Sequence, residues 1–283
     1  MAAIAELFGA QEESKLGRPS HLSVDDVNGW LHTAAFETNT WLVEEDGAGL
    51  VAAAFAELHG DRGYALGAVH PEAENRGLGS QLIELSERRM NEEDARRILA
   101  WTLAADAPAA ELYARHGYRE VRRFWEMAID LEDEPSEPLV AVETFREADA
   151  SAFHAANEEA FEDHWEPHPQ SFETWWARQR ARSNYDPSLW FLIRDADEVV
   201  AIARNEQRAS GGYVGSLGVR RAWRGRGYGR ALLLHSFREF RRRGMTRATL
   251  GVDSTNPTGA THLYESVGMH VDLEMIVWEK LLA

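Results

Sequence analysis

The sequence predicts an α/β protein built from two similar domains in tandem, each with mixed sheet pairing, and three observations carry that prediction. The chain has 283 residues, long for one ordinary domain and enough for two of roughly 100–200 residues. "VHPEAENRGLGSQL", Val69 to Leu82, returns as "VRRAWRGRGYGRAL", Val219 to Leu232, at an offset of 150, and "LYARHGY", Leu112 to Tyr118, returns as "LYESVGM", Leu263 to Met269, at 151. Two separate matches in nearly one register mark a duplication. Between the copies, "DLEDEPSEPLV", Asp130 to Val140, is acidic, holds two prolines and lacks periodicity, as a linker does. Domains over 1–134 and 139–283 are therefore expected.

In the second copy, "VETFREADASAFHAANEEAF" predicts a short strand and then a helix, with Asp149 or Ser151 as its cap. "SFETWWARQRAR" predicts a second helix. "WFLIRD" and "VVAIARNEQ" form a hairpin, and "GYVGSLGV" a third strand that ends at a glycine-rich turn. The helix that follows carries Leu233, Phe237 and Phe240 at helical spacing and stops at Gly244. "RATLGV", "PTGATHLYESVG" and "MHVDLEMIVWEK" read as strand, helix and one or two closing strands. The first copy follows suit with "WLVEED", "LVAAAFAEL", "YALGAV", a helix over Leu78–Asn91, "RILAWTL" and "RFWEMAID". Its front end is shorter, with helix expected only in "SVDDVNGWLHTAAF".

Composition narrows the function classes. Hydrophobic residues at 44% beside 27% charged residues are the balance of a globular chain. The absence of cysteine excludes disulfides, thiolate metal sites and a cysteine nucleophile, and suits the cytoplasm, the expected location. The opening "MAAIAELFGAQEESKLGRPS" has no basic segment before an apolar run, and no stretch approaches the ~18 apolar residues of a membrane span, so no membrane partner is expected. A formal net charge of −17 argues against nucleic acid, whose binding rests on phosphate neutralisation by Lys and Arg. Lys15 and Lys280 are the only lysines, yet nine arginines fall between Arg220 and Gly244. That patch needs a local task.

A strand ending at Val219, the turn "RRAWRGRGYG" and a helix place unpaired N–H groups at the positive end of a helix dipole, where an anion fits. Gly225, Gly227 and Gly229 open the backbone to close approach. Arg224, Arg226 and Arg230 add charge-assisted hydrogen bonds. The plain alternative is a tight turn with solvated arginines. A P-loop is excluded because no Lys with Ser or Thr follows the last glycine. A dinucleotide fingerprint fails too, since the sixth position is Arg230 from Gly225 and Leu232 from Gly227.

"RGRGYGRALL" after a strand, then a helix, the strand "TLGVDSTN" and the helix ending "LYESVG", resembles the GNAT acyltransferase superfamily. Arg224-x-x-Gly227-x-Gly229 meets that family's Q/R-x-x-G-x-G/A pattern for coenzyme A. The resemblance covers about residues 140–280 well and 40–130 more loosely. It implies two tandem domains, each a mixed, mostly antiparallel sheet flanked by helices. It further implies that the amides of Arg224, Gly225, Arg226, Gly227, Gly229 and Arg230 hold the pyrophosphate of acetyl-CoA, as co-substrate. Leu217 to Val219 and Asn256 would meet its pantetheine arm, and Tyr264 would protonate the departing thiolate. Two readings of Asn256 stand together: this contact, and a helix N-cap before Pro257. Tyr264 equally reads as a core tyrosine.

The first copy departs from the pattern. "ENRGLGS" puts Glu74 where Gln or Arg is expected, and "WTLAADAPAAELY" offers no Asn, although Gly77, Gly79 and Tyr113 remain. The C-terminal copy is therefore the expected catalytic domain and the N-terminal copy a degenerate one. The loop "FEDHWEPHPQSF" lies where the family lines its acceptor site. Glu162, Asp163, His164 and His168 are candidates for the base, Glu162 foremost, with Asp163, His164, Trp165 and His168 as substrate contacts, Trp165 and Trp175 as apolar walls and Glu206 as another possible base. A solvated loop capping a helix through Ser171 is the bland alternative. Its carboxylates suit a cationic acceptor. No metal is expected, because no strong ligand spacing recurs. The expected activity is acetyl-CoA-dependent N-acetylation of a small-molecule amine by direct attack. The alternatives are a peptide or protein N-acetyltransferase and a non-catalytic acyl-CoA-binding protein.

Overall fold

The protein is described by a computed structural model over residues 1–20, 22–24, 26–27, 38–165, 169–182, 184–256 and 258–282. It forms two compact units, Met1–Phe124 with Leu273–Ala283, and Trp125–Asp272. The units are not contiguous halves of the chain. The passage from one to the other falls inside a strand at Phe124 and Trp125, and the acidic segment lies wholly within the second unit.

The first unit contains α1 (Ala2–Leu16), β1 (Thr40–Glu45), β2 (Gly49–His59), β3 (Arg62–Val69), α2 (Leu78–Glu92), β4 (Arg97–Leu103), α3 (Ala107–Arg115) and the start of β5 (Arg119–Asp130). Its sheet runs β1-β2-β3-β4 and is completed by the closing strand β11 (His270–Leu281). Only β3 and β4 pair in parallel among the registers described here. Helix α1 is not among the elements that the sequence pattern predicts. Its Ile4, Ala5, Leu7 and Phe8 are buried in a cluster with Ala53, Phe55 and Ala68 of the sheet. Most of "SVDDVNGWLHTAAF" lies outside the described residues.

The second unit orders its strands β5-β10-β9-β8-β7-β6, where β6 is Glu143–Thr144, β7 Trp190–Asp195, β8 Glu198–Arg208, β9 Gly211–Val219 and β10 Arg247–Asp253. Its helices are α4 (Ala150–Phe161), α5 (Phe172–Arg180), α6 (Tyr228–Arg242) and α7 (Ala260–Ser266). The hairpin β7–β8 and the pair β8–β9 are antiparallel, and β9–β10 is parallel. Leu233, Phe237 and Phe240 of α6 are fully buried on one face, and Gly244 ends the helix region at φ 83°. Full burial of such side chains contributes roughly 1.5–3 kcal/mol each. Asp149 precedes α4, but its carboxylate accepts from the Arg146 N–H at 3.0 Å and pairs with Arg194 at 2.6 Å. Neither it nor Ser151 caps the helix through its side chain. Ser171 does cap α5, accepting from the Thr174 N–H at 3.2 Å.

The closing strand departs most from a simple duplication. Ile276 and Trp278 of β11 pack in the core of the first unit with Met90, Ile98 and Tyr118, whereas Met127 of β5 and Leu131 pack in the core of the second. Alternating apolar residues specify a strand with a buried face, but not which sheet edge it joins.

Candidate active site

In the second unit, β9 and β10 pair only at Gly212 with Ala248 and Tyr213 with Thr249. The residues that follow, Val214 to Leu217 on β9 and Leu250 to Asp253 on β10, line a cleft of about 740 Å³, open mouth included. Parting a parallel pair leaves backbone N–H and C=O groups without ladder partners, so an extended amide-bearing ligand can pair there as a strand would. The cleft is completed by Ala160 and Phe161 at the end of α4, Asp163, His164 and Trp165 after it, and Asn256 and Tyr264.

Strand β9 leads into the glycine turn. Gly227, at φ 79° and ψ 2°, precedes α6 in the left-handed region that glycine adopts without strain. The first helical bond runs from the Ala231 N–H to the Gly227 carbonyl at 3.0 Å. Among the described residues, no amide from Gly225 to Arg230 donates to a protein acceptor. Six N–H groups are thus left open in the turn and at the helix N-terminus, an arrangement that can hold an anion. A Cβ at Gly229 would stand 2.9 Å from Leu263 Cδ2, so this position keeps α6 close to α7.

The arginines of the turn divide differently from the sequence expectation. Arg224 donates through Nε to the Val219 carbonyl at 3.2 Å and through Nη2 to the Ala160 carbonyl at 3.1 Å, and pairs with Asp163 at 3.4 Å. It ties the end of α4 to the end of β9, satisfying a carbonyl that the helix leaves open. Arg226 donates to the Ala222 carbonyl and lies 3.7 Å from Asp195. Arg230 is exposed. An anion brought to the turn would thus meet backbone amides first.

The first unit repeats the backbone but not the residues of the clamp. Gly77 has φ 83° and ψ −4°, and a Cβ at Gly79 would meet Leu112 Cδ2 at 2.8 Å. Glu74, in the position of Arg224, accepts from Lys15 Nζ of α1 at 2.6 Å. Lys15 also lies 3.5 Å from buried Asp106. The contact is the Arg224–Asp163 clamp with its polarity reversed. Tyr113 stacks on Trp278, with ring centroids 6.0 Å apart, and meets Tyr118 edge-on at 5.0 Å. Strands β3 and β4 stay paired over four positions rather than two, which shortens the part of β3 left to diverge.

The expected acceptor residues also separate. Glu162 is exposed, 3.6 Å from Arg221, and is not among the residues lining the cleft. Asp163 does line it, but accepts from Arg221 Nη2 at 2.7 Å, and that hydrogen bond with the Arg221 charge holds its carboxyl below the usual range. His168 lies outside the described residues. Trp175 is a core side chain, stacked with Phe153, whereas Trp165 lines the cleft. His164 Nδ1 lies 2.9 Å from the Trp165 carbonyl, which can only accept. Nδ1 therefore carries a proton, and in the neutral ring Nε2 is the nitrogen left to accept one.

Tyr264 is buried, and loss of solvent, with a smaller contribution from Tyr213, pushes its hydroxyl up to about 12. Asn256 Oδ1 accepts from the Thr258 N–H at 2.8 Å, closing a turn. Helix α7 starts only at Ala260, after Gly259, so Asn256 is not its N-cap. Leu217 lines the cleft, and Val219 meets Arg224.

Glu206 is not placed as a base. It is 4% exposed and accepts from Arg182 Nη2 at 2.8 Å, from Asn184 Nδ2 at 3.1 Å and from Arg204 Nη1. Burial alone would raise its carboxyl, but Arg204, Arg182 and Arg208 outweigh that and hold it below the usual range. The sequence reading missed this network. Its signal was "ARNEQR", which puts Arg204, Glu206 and Arg208 on one face of β8.

Comparison with known proteins decides the family. Residues 150–269 match the model described as "Acetyltransferase (GNAT) family" and residues 37–120 the "Acetyltransferase (GNAT) domain". A mycothiol acetyltransferase of Thermobispora bispora is 32% identical over 212 residues, 71% of this chain and 70% of that protein. The chain belongs to the GNAT N-acetyltransferases. A second mycothiol acetyltransferase, from Nocardia farcinica, is 30% identical over 82% of this chain and 80% of its own length. A crystal structure of a GCN5-related N-acetyltransferase from Sphaerobacter thermophilus superposes with a TM-score of 0.87 and 31% identity, covering 99% of this chain and 92% of that one. Two GNAT domains in tandem, in a layout resembling mycothiol synthase, are thus established. The family uses acetyl-CoA as co-substrate. Among the described residues, no helix is long and apolar enough to cross a membrane.

Proposed function

We propose that the second unit carries the activity, an acetyl transfer from acetyl-CoA to a small-molecule amine, and that the first unit is structural. The observation behind it is the parted β9–β10 pair leading into unpaired amides at Gly225 to Arg230. Both features suit acetyl-CoA: the diphosphate against the amides, the pantetheine amides along the open edge of β9, and the Asn256 side chain beside them. Bound there, acetyl-CoA supplies an activated acetyl thioester. His164 Nε2 is the base that takes a proton from the acceptor amine. Tyr264, protonated through the neutral range, is the acid at the sulfur position. In the first unit, Tyr113 is built into an aromatic stack and Glu74 into an ion pair, which supports a structural role there.

Thiol release from acetyl-CoA in the presence of a panel of primary amines tests the assignment. Amine-dependent release is expected from the wild type, with a loss of about 100-fold in kcat for His164→Gln. Acetyl-CoA binding without release with any amine would favour a non-catalytic acyl-CoA-binding protein instead.

A further inference from the structure

Charge collects at the place where β9 and β10 part, on the face of the sheet turned away from α6. Asn205 faces α6, donating to Ser236 Oγ at 2.9 Å, so Arg204 and Glu206 project to the opposite face. The β8–β9 register slips between Arg204 and Asn205, leaving Gly215 as the extra residue of a bulge. A Cβ at Gly215 would stand 2.8 Å from Arg204 Nη2 and 3.3 Å from Glu206 Oε1. A side chain at this position would push the guanidinium away from the strand, and Gly215 itself lines the cleft. On the other strand, a Cβ at cleft-lining Gly251 would be 3.5 Å from the Tyr213 hydroxyl. The Arg208 guanidinium lies over the Tyr213 ring, 3.4 Å from its centroid.

We propose that this group, with Arg204 and Arg182 at its centre, is the acceptor subsite, and that the amine it takes carries a carboxylate. The proposal rests on the acetyl-transfer reading above and names the substrate class of that site. Arg182 and Arg204 share one oxygen of Glu206, so together they have more donors than that carboxylate has lone pairs. Arg178, Arg204 and Arg208 all act on Arg182 and Glu206 opposes them, while Glu126 acts on the neighbouring Tyr213. Among these named groups positive charge is in excess, within a chain of net charge −17. Such a field attracts a carboxylate, repels polyamines and other cationic amines, and favours the neutral, nucleophilic form of the acceptor nitrogen. Asp163 and Glu162, the acids first expected to draw a cationic acceptor, are paired with Arg221, and Asp253, the other carboxylate lining the cleft, accepts from the Thr255 N–H at 2.9 Å.

Matched acceptors test the proposal: L-phenylalanine and L-glutamate against their α-amides, with spermidine as the cation. Thiol release by the wild type is expected to favour a free amino acid over its amide by about 10-fold or more in kcat/KM. Arg204→Gln and, separately, the more exposed Arg182→Gln should bring that ratio toward one, and Arg204→Lys should restore it only in part. Calorimetry on the CoA-saturated protein should show the same preference in Kd. Equal or greater use of the amides or spermidine, or no use of either amino acid, overturns the proposal. A wild type that does not bind acetyl-CoA would instead overturn the acetyl-transfer reading beneath it.

Discussion

Glu206→Gln exchanges one buried carboxylate for a neutral amide of nearly the same shape. Three arginines surround it, with side chains 14% (Arg204), 28% (Arg182) and 26% (Arg208) exposed, against 4% for Glu206 itself. Breaking a buried ion pair by removing one partner costs about 3–5 kcal/mol, and the partial exposure of the guanidiniums moves the expectation to the lower end, about 3 kcal/mol. The folded-state carboxyl is held below its ordinary value of 4.5. Its contribution is therefore fully present above that value and lost as pH falls through the lowered one. Urea unfolding followed by tryptophan fluorescence reports on this unit through Trp175 and Trp190 in its core, together with Trp278 in the core of the first. The gap between wild type and variant should be full at neutral pH and shrink below about pH 4. A gap under about 1 kcal/mol at neutral pH, or one indifferent to acid, would refute the arginine cage and return Glu206 to the list of possible bases.

Two further outcomes follow from the same geometry. Tyr264→Phe should lower kcat by about 100-fold with KM for acetyl-CoA little changed; in the wild type, a hydroxyl held up to about 12 should produce no alkaline loss of rate below about pH 10. Unchanged kcat in the variant would remove Tyr264 as the acid. Glu74→Arg should destabilise the first unit by about 1–3 kcal/mol through repulsion of Lys15, and the double swap with Lys15→Glu should recover most of that loss in thermal unfolding. Additive losses in the double variant would contradict the reversed clamp.

Much of this architecture was legible in the chain because it is written in local signals. The repeat at offsets 150 and 151 exposed two domains, and the spacing of Leu233, Phe237 and Phe240 exposed α6 with its buried face. Gly227 and Gly229 marked a turn with open amides. What stayed hidden depends on partners distant in sequence. Arg224 reads as a phosphate ligand until Ala160 and Asp163 are brought beside it, more than sixty positions away. Glu74 reads as a defect until α1 delivers Lys15. Helix α1 escaped notice because its buried residues, Ile4 to Phe8, crowd into its first turns rather than recurring along its length. Trp175 looked like a pocket wall, yet aromatic residues are as readily core, and four ring contacts to Phe153, His154, Phe172 and Trp190 put it there.

The central claim is that the second unit alone holds the acetyl-CoA site. Calorimetric titration of the full chain with acetyl-CoA, compared with Gly227→Glu and Gly77→Glu, addresses it directly. A carboxylate at Gly227 puts negative charge among the open amides, whereas Gly77 lies in the unit whose tyrosine is stacked away. One molecule bound per wild-type chain is expected, with binding abolished by Gly227→Glu and kept by Gly77→Glu. Binding lost on Gly77→Glu and kept on Gly227→Glu would contradict the account.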